Sequence, residues 1–100
     1  MKFARIEFLD LAKKDLTEGH RFYESQQPGL GAYFLDSLST DIESLCKFAG
    51  IHRKVYKDYH RLLSKRFPFA VFYRVVGGRV FIHAVVDCRR DPVLIKGKLK

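Results

Sequence analysis

One hundred residues with 47% apolar side chains make a single domain, residues 1–100, able to bury a core without disulfide or metal staples; two domains, disorder and collagen are excluded. No apolar run approaches the ~18 residues that span a bilayer, and Arg5, Glu7 and Asp10 interrupt the opening MKFARIEFLDLAKKD, so neither a membrane span nor a secretory leader is expected and the chain is expected in the cytoplasm. The net charge of +8 is uneven, with −2 in residues 1–50 and +10 in residues 51–100, which predicts one basic face and a polyanionic or acidic partner, a merely soluble basic protein being the plain alternative.

In chain order, residues 2–8 alternate, with Ala4, Ile6 and Phe8 set against Phe3, Arg5 and Glu7, and predict a short strand. Asp10 is placed to cap a helix whose apolar side is Ala12, Leu16, Gly19 and Tyr23 and whose polar side is Lys13, Lys14, Glu18 and Arg21. Pro28 stops this helix, and Gly29 and Gly31 are expected to supply a tight turn. A second helix follows on the stripe Leu30, Phe34, Leu38, Ile42, Leu45 and Phe48/Ala49, closed by Gly50, and should pair with the first as an antiparallel hairpin.

Residues 51–60 have neither period and read as a basic loop. Three strands are then expected at 61–67, 69–76 and 79–87, the last two joined at Gly77-Gly78, and a short tail carries Lys96, Lys98 and Lys100. The plan is α+β, in the order strand, helix, helix and three strands. The helical hairpin packs on one face of a mainly antiparallel sheet.

A two-residue turn fixes a register in which Val76 opposes Arg79, Val75 opposes Val80, Tyr73 opposes Ile82, Phe72 opposes His83 and Val71 opposes Ala84. The face under the helices is then Val71, Tyr73, Val75, Val80, Ile82 and Ala84. The outer face is Ala70, Phe72, Arg74, Phe81, His83, Val85 and Asp87. Its mixture of rings and cations suits base stacking with phosphate contact, or a protein patch. Equally, these residues could build a second small core beneath residues 51–60 or the tail.

The segments FYESQQPGLGAYF (22–34), KRFPFAVFYRV (65–75) and VFIHAVVDCRRDP (80–92), together with Gly77-Gly78, resemble ParE-like toxins of the RelE/ParE superfamily over residues 3–92. The resemblance implies the RelE/ParE fold and the toxin of a bacterial type II toxin–antitoxin, or plasmid stabilisation, system. ParE-like members poison DNA gyrase, RelE-like members cleave mRNA on the ribosome, and both are neutralised by a cognate antitoxin. Arg74, Phe81, His83, Arg89 and Arg90 are the expected target contacts, and Phe22, Tyr23, Tyr33 and Phe34 the expected antitoxin contacts, although such an aromatic cluster is also what a core looks like.

A ribonuclease needs groups to activate a 2′-hydroxyl, hold the scissile phosphate and protonate the leaving oxygen. Arg61, Lys65, Arg74, His83 and Asp87 are the candidates. No Tyr follows residue 73, and Asp87-Cys88 stands where many RelE-like relatives show a His, so the departures favour gyrase inhibition over catalysis. Arg89-Arg90-Asp91-Pro92 has a structural alternative in an ion pair and a strand end. His20, His52, His60 and His83, with Cys46 and Cys88, have no zinc spacing, the two thiols read as inert, and no metal or cofactor is expected. The run HRKVYKDYHR at 52–61 interleaves cations with Tyr56 and Tyr59 and suits either nucleic acid or solvent.

Overall fold

A computed structural model describes residues 5–49 and 51–89 of the chain. The start of the first strand at 2–4, the Gly50 stop, Arg90-Asp91-Pro92 and the tail lie outside the described residues. The elements are β1 (Arg5–Phe8), α1 (Asp10–Gln26), α2 (Leu30–Glu43), α3 (Leu45–Phe48), β2 (Lys54–Tyr56), β3 (Tyr59–Leu63), β4 (Phe69–Val76) and β5 (Arg79–Asp87). They form one five-stranded sheet in the order β1-β5-β4-β3-β2, with the helices on one face. β1 pairs parallel to β5, from Arg5 opposite Arg79 to Phe8 opposite Ile82, and every other pairing is antiparallel. The expected α+β order is therefore present, with α3 and β2 added to it.

Several local expectations are corrected. Leu9, not Asp10, is the N-cap; Asp10 lies in the first turn, where its charge complements the helix dipole. The inward face of α1 is Ala12, Asp15, Gly19 and Tyr23, so a carboxylate holds a buried place while Leu16 is only partly covered. Gly29 makes the turn alone, at φ 88°. Gly31 already belongs to α2 and serves close approach: a Cβ there would stand 2.8 Å from the backbone oxygen of His20. The Glu24 carboxylate accepts the N–H groups of Gly29 and Gly31 at 3.1 and 3.0 Å, capping α2 from the preceding helix. α2 breaks at Ser44, whose hydroxyl donates to the Asp41 carbonyl at 2.6 Å. Leu45 continues the buried stripe in α3, Ala49 packs on the core, and Phe48 stands half exposed.

The stretch expected to be a loop, 51–60, instead contributes β2 and the start of β3. The two strands are joined through Lys57, at φ 49°, and Asp58. β3 then ends at Leu63, well before Phe67. There the buried Asp41 carboxylate takes the Ser64 hydroxyl at 2.9 Å and the Lys65 N–H at 3.2 Å, turning the chain out of the sheet.

β4 and β5 span the expected residues, and Gly77 and Gly78 both take positive φ, as a type I′ turn requires. The register holds from Val76–Arg79 to Tyr73–Ile82, after which a bulge at His83 pairs Phe72 with Ala84 and Val71 with Val85. A one-residue slip exchanges faces. Val85 thus joins Val71, Tyr73, Val80 and Ile82 under the helices, and Ala84 passes to the outer face, the reverse of the expected assignment. Asp87 moves with Val85 to the helix side, where it shares a cavity wall with Asp15, Gly19 and Phe22. Val75, expected in the core, lies close to the turn and is exposed. The outer face carries its own cluster of Tyr59, Ala70, Phe72, Ala84 and Val86, with Tyr56 against it. The second core anticipated beneath residues 51–60 is therefore present and takes in Phe72.

Candidate functional site

Above that second core the outer face narrows to a polar row. Arg74 pairs with Phe81 across the β4–β5 hairpin, and His83 follows at the bulge. The Arg74 Nε donates to His83 Nε2 at 3.1 Å. With Nε2 accepting, the imidazole proton sits on Nδ1, which donates to the Tyr59 hydroxyl at 3.4 Å. The Arg74 guanidinium also lies 6.0 Å from the centre of the Tyr59 ring. Burial first, and then the Arg74 charge, hold the His83 imidazole below its ordinary pKa, so it is neutral near pH 7. Arg61 opposes Phe72 in the β3–β4 pair and projects, exposed, from the neighbouring row of the same face.

The anticipated residues divide by this geometry. Arg74, Phe81 and His83 come together, and Arg61 joins them. Lys65 lies in the turn beyond Leu63, away from the row. Asp87 faces the helices and forms a two-pronged ion pair with Arg89 at 2.6 and 2.9 Å, so it is not the free carboxylate of an acid–base pair beside His83. Arg89 accordingly sits at the Tyr23 corner and away from the Arg74 row. Arg90 lies outside the described residues.

The sequence sets Tyr59 in the basic 52–61 run, apart from this row; only the β3–β4 pairing brings it to His83, 24 positions on. A second group on the helix side likewise forms only through the pairing of β3 with β4. There His52 Nδ1 lies 2.6 Å from the hydroxyl of the buried Tyr73, and the His60 ring stacks on Tyr73 while its Nδ1 donates to the His52 carbonyl. Burial and the nearby His60 lower the His52 pKa. Among the described residues no group of three or more His, Cys, Asp or Glu is placed to hold a metal, and no helix is long and apolar enough to cross a membrane.

The family model for the ParE toxin of the type II toxin–antitoxin system, parDE, matches residues 6–92, most of the chain. The chain belongs to the ParE toxin family. A solved structure described as the chromosomal ParDE TA system from P. aeruginosa has a TM-score of 0.78 to it at 19% identity, covering 85% of this chain and 96% of that one. At that identity the likeness is one of fold. No curated protein matches the chain in sequence.

In this ParE-family chain the aromatic cluster at the helix turn separates by depth. Tyr23 and Phe34 are buried among Phe67 and Phe69, with ring centres 4.9 to 6.2 Å apart, and Phe34 has no exposed surface. As partner contacts they are corrected to core. Phe22 and Tyr33 are each 49% exposed and sit beside Tyr23 and Phe67, respectively. The two thiols also separate, Cys46 half-buried and Cys88 exposed.

Proposed function

We propose that this ParE-family toxin acts in the bacterial cytoplasm as a non-catalytic inhibitor of DNA gyrase and is neutralised by a cognate antitoxin. The observation that carries the reading is the Arg74–His83–Tyr59 row: its imidazole is occupied at both nitrogens, and among the described residues no free carboxylate stands beside it. Such a row binds well and has no ready proton acceptor. Arg74, Phe81 and His83 make the target contact, and Phe22 and Tyr33 the antitoxin contact. The experiment is a supercoiling assay with purified toxin and gyrase, in which turnover stops or a cleaved DNA complex accumulates. Unaltered supercoiling at large toxin excess removes the reading.

One observation favours the ribosome-dependent mRNA endonuclease as a second reading. Tyr59 brings to His83 and Arg74 the phenol that the last strand lacks, with Arg61 one row away. A neutral imidazole beside a phenol and two guanidinium groups is a plausible acid–base set once substrate displaces the internal hydrogen bonds. Primer extension on translated mRNA decides it, since cuts at the ribosomal A site are required.

A further inference from the structure

A second concentration of charge adjoins the Arg74 row at Arg61 and runs away from it along β2. Between residues 51 and 63 the sequence holds four Lys/Arg and a single carboxylate, Asp58. Among the described residues Asp58 pairs only with Lys54, at 3.8 Å between two largely exposed side chains, a pairing worth little in water. Arg53, Lys57 and Arg61 are exposed and form no ion pair with any described residue. Arg53 and Arg61 line a groove of about 400 Å³ at the β2 edge of the sheet, together with His52, Lys54, Val55 and Leu63 and with no acidic side chain among them. At the hairpin tip, Lys57 Nζ lies 5.4 Å from the centre of the Tyr56 ring, and the Tyr56 and Tyr59 rings are near parallel at 10°.

We infer that the β2–β3 hairpin binds the phosphodiester backbone of duplex DNA, as a contact that meets the Arg74–His83 row at Arg61 and extends beyond it through Arg53 and Lys57. The form of the surface selects this ligand. A protein partner needs a charge-depleted apolar anchor at the centre of its interface; here the apolar residues are only Val55 and Leu63, half exposed between cations. Cations spread along a ribbon are instead the pattern of backbone neutralisation. From Arg53 to Lys57 the extended chain covers roughly 13 Å, room for about four phosphates of one strand along the duplex axis. The choice of duplex DNA rests on the gyrase reading, since that enzyme's substrate is the duplex; the electrostatics do not.

The test is fluorescence anisotropy of a short labelled duplex titrated with the full-length toxin over a range of salt. Three to four phosphate contacts give a log–log salt slope of about −3. The triple variant Arg53→Ala/Lys57→Asn/Arg61→Ala, with Asn chosen because it tolerates positive φ, flattens that slope by about 2 to 3 and weakens low-salt binding at least about tenfold. The triple Lys13→Ala/Lys14→Ala/Arg21→Ala removes the same charge from α1 and keeps the slope. Arg61→Ala alone, which retains the turn, loses about 1 of slope should the hairpin triple fail to fold. Equal losses in the two triples, no binding of duplex by wild type, or tighter binding of a single-stranded RNA through the same cations each overturns the inference. Supercoiling assays on the same preparations separate it from the functional reading. A toxin that spares gyrase yet binds duplex through these cations sinks the gyrase reading alone. One that blocks gyrase while the hairpin triple keeps its salt slope sinks the hairpin alone.

Discussion

The carboxylate of Asp15 in α1 accepts the backbone N–H of Val85 in β5 at 2.9 Å, across 70 positions of sequence and between two buried residues. The bulge at His83 takes Val85 out of the register that Gly77-Gly78 would otherwise impose, and Asp15 supplies the acceptor for its amide. One helix side chain thereby holds the strand segment beyond the bulge, in which Val85 faces the core. Asp15→Ala leaves a buried donor without a partner, so a loss of about 2 to 3 kcal/mol is expected in denaturant titration, with a fall in Tm of roughly 10 °C or more. A change below about 0.5 kcal/mol would show that the bulge stands without Asp15.

Such long-range terms mark where the sequence stops being legible. The ends of β4 and β5 were readable because Gly77-Gly78 and the flanking Val, Phe and Tyr residues state a hairpin locally. The α2 stripe from Leu30 to Ile42 was readable because four-residue spacing repeats. The bulge is not, since the carboxylate that accepts the Val85 amide beyond it lies in α1. β2 was not, because Lys57 takes a positive φ without any turn signature and Tyr59 becomes a strand residue only by pairing with β4. The placement of Arg74, Phe81 and His83 on one face is legible from alternation alone, whereas Tyr59, which completes the row, needs the neighbouring strand. Proximity in sequence at the Pro28 turn suggested four aromatic contacts but carried no information on depth, so Tyr23 and Phe34 were grouped with Phe22 and Tyr33.

Two histidines set the pH response on the mildly acidic side. Burial and Arg74 lower the His83 pKa, and burial and His60 lower that of His52. The unfolded chain, with imidazoles near 6.5, therefore binds more protons than the folded one just below that pH. Stability should fall as pH drops from about 7 toward 5 and level off below the folded-state values. Glu24 acts in a separate window: the Gly29 and Gly31 amides lower its pKa, so its contribution is present above about 4.5 and is lost on further acidification. Urea midpoints measured against pH should show the first limb flattened in His52→Asn/His83→Gln and only the second flattened in Glu24→Gln. A single limb common to all three proteins would contradict the assignment.

Gly31 and Gly29 stand two positions apart and should respond differently to a methyl group. At Gly29 nothing lies within 4 Å, and Gly29→Ala meets only the cost of a positive φ, about 1 kcal/mol. At Gly31 the added carbon meets the His20 carbonyl oxygen at 2.8 Å, a backbone atom that moves only if α1 and α2 separate. Overpacking of this kind costs about 1 to 3 kcal/mol and outweighs the gain of about 1 kcal/mol from alanine's helix propensity. Gly31→Ala should also loosen the helical hairpin, visible as faster amide exchange along α1, while Gly29→Ala leaves exchange there unchanged. Equal exchange in the two variants would mean the helices have slack.

Depth at the aromatic cluster separates stability from partner affinity. Phe34→Ala empties a fully buried site and should cost about 3 to 5 kcal/mol of folding stability. Phe22→Ala and Tyr33→Ala, at half-exposed sites, should change stability by less than about 1 kcal/mol and weaken the antitoxin complex by about five- to thirtyfold each. Calorimetric titration with the cognate antitoxin checks this. Wild-type affinity in both variants would move the antitoxin contact away from the Pro28 turn.

The Arg74 row carries the functional reading and is open to a direct test. Arg74→Ala removes the guanidinium from Tyr59 and from His83 Nε2, both within a half-buried layer, and should lower stability by about 0.5 to 1.5 kcal/mol. Its effect on the target should be larger: at least about tenfold more toxin for half-inhibition of supercoiling, equivalent to about 1.4 kcal/mol of contact energy. Arg21→Ala removes the same charge from the exposed side of α1 and should leave inhibition unchanged, so a fall in both variants would indicate bulk charge and not this face. His83→Gln offers a finer cut. It keeps an acceptor for Arg74 and lacks the imidazole, so a binding surface retains most of its inhibition whereas an acid–base site loses all activity. Gyrase inhibition surviving Arg74→Ala at wild-type strength would place the target contact elsewhere on the toxin.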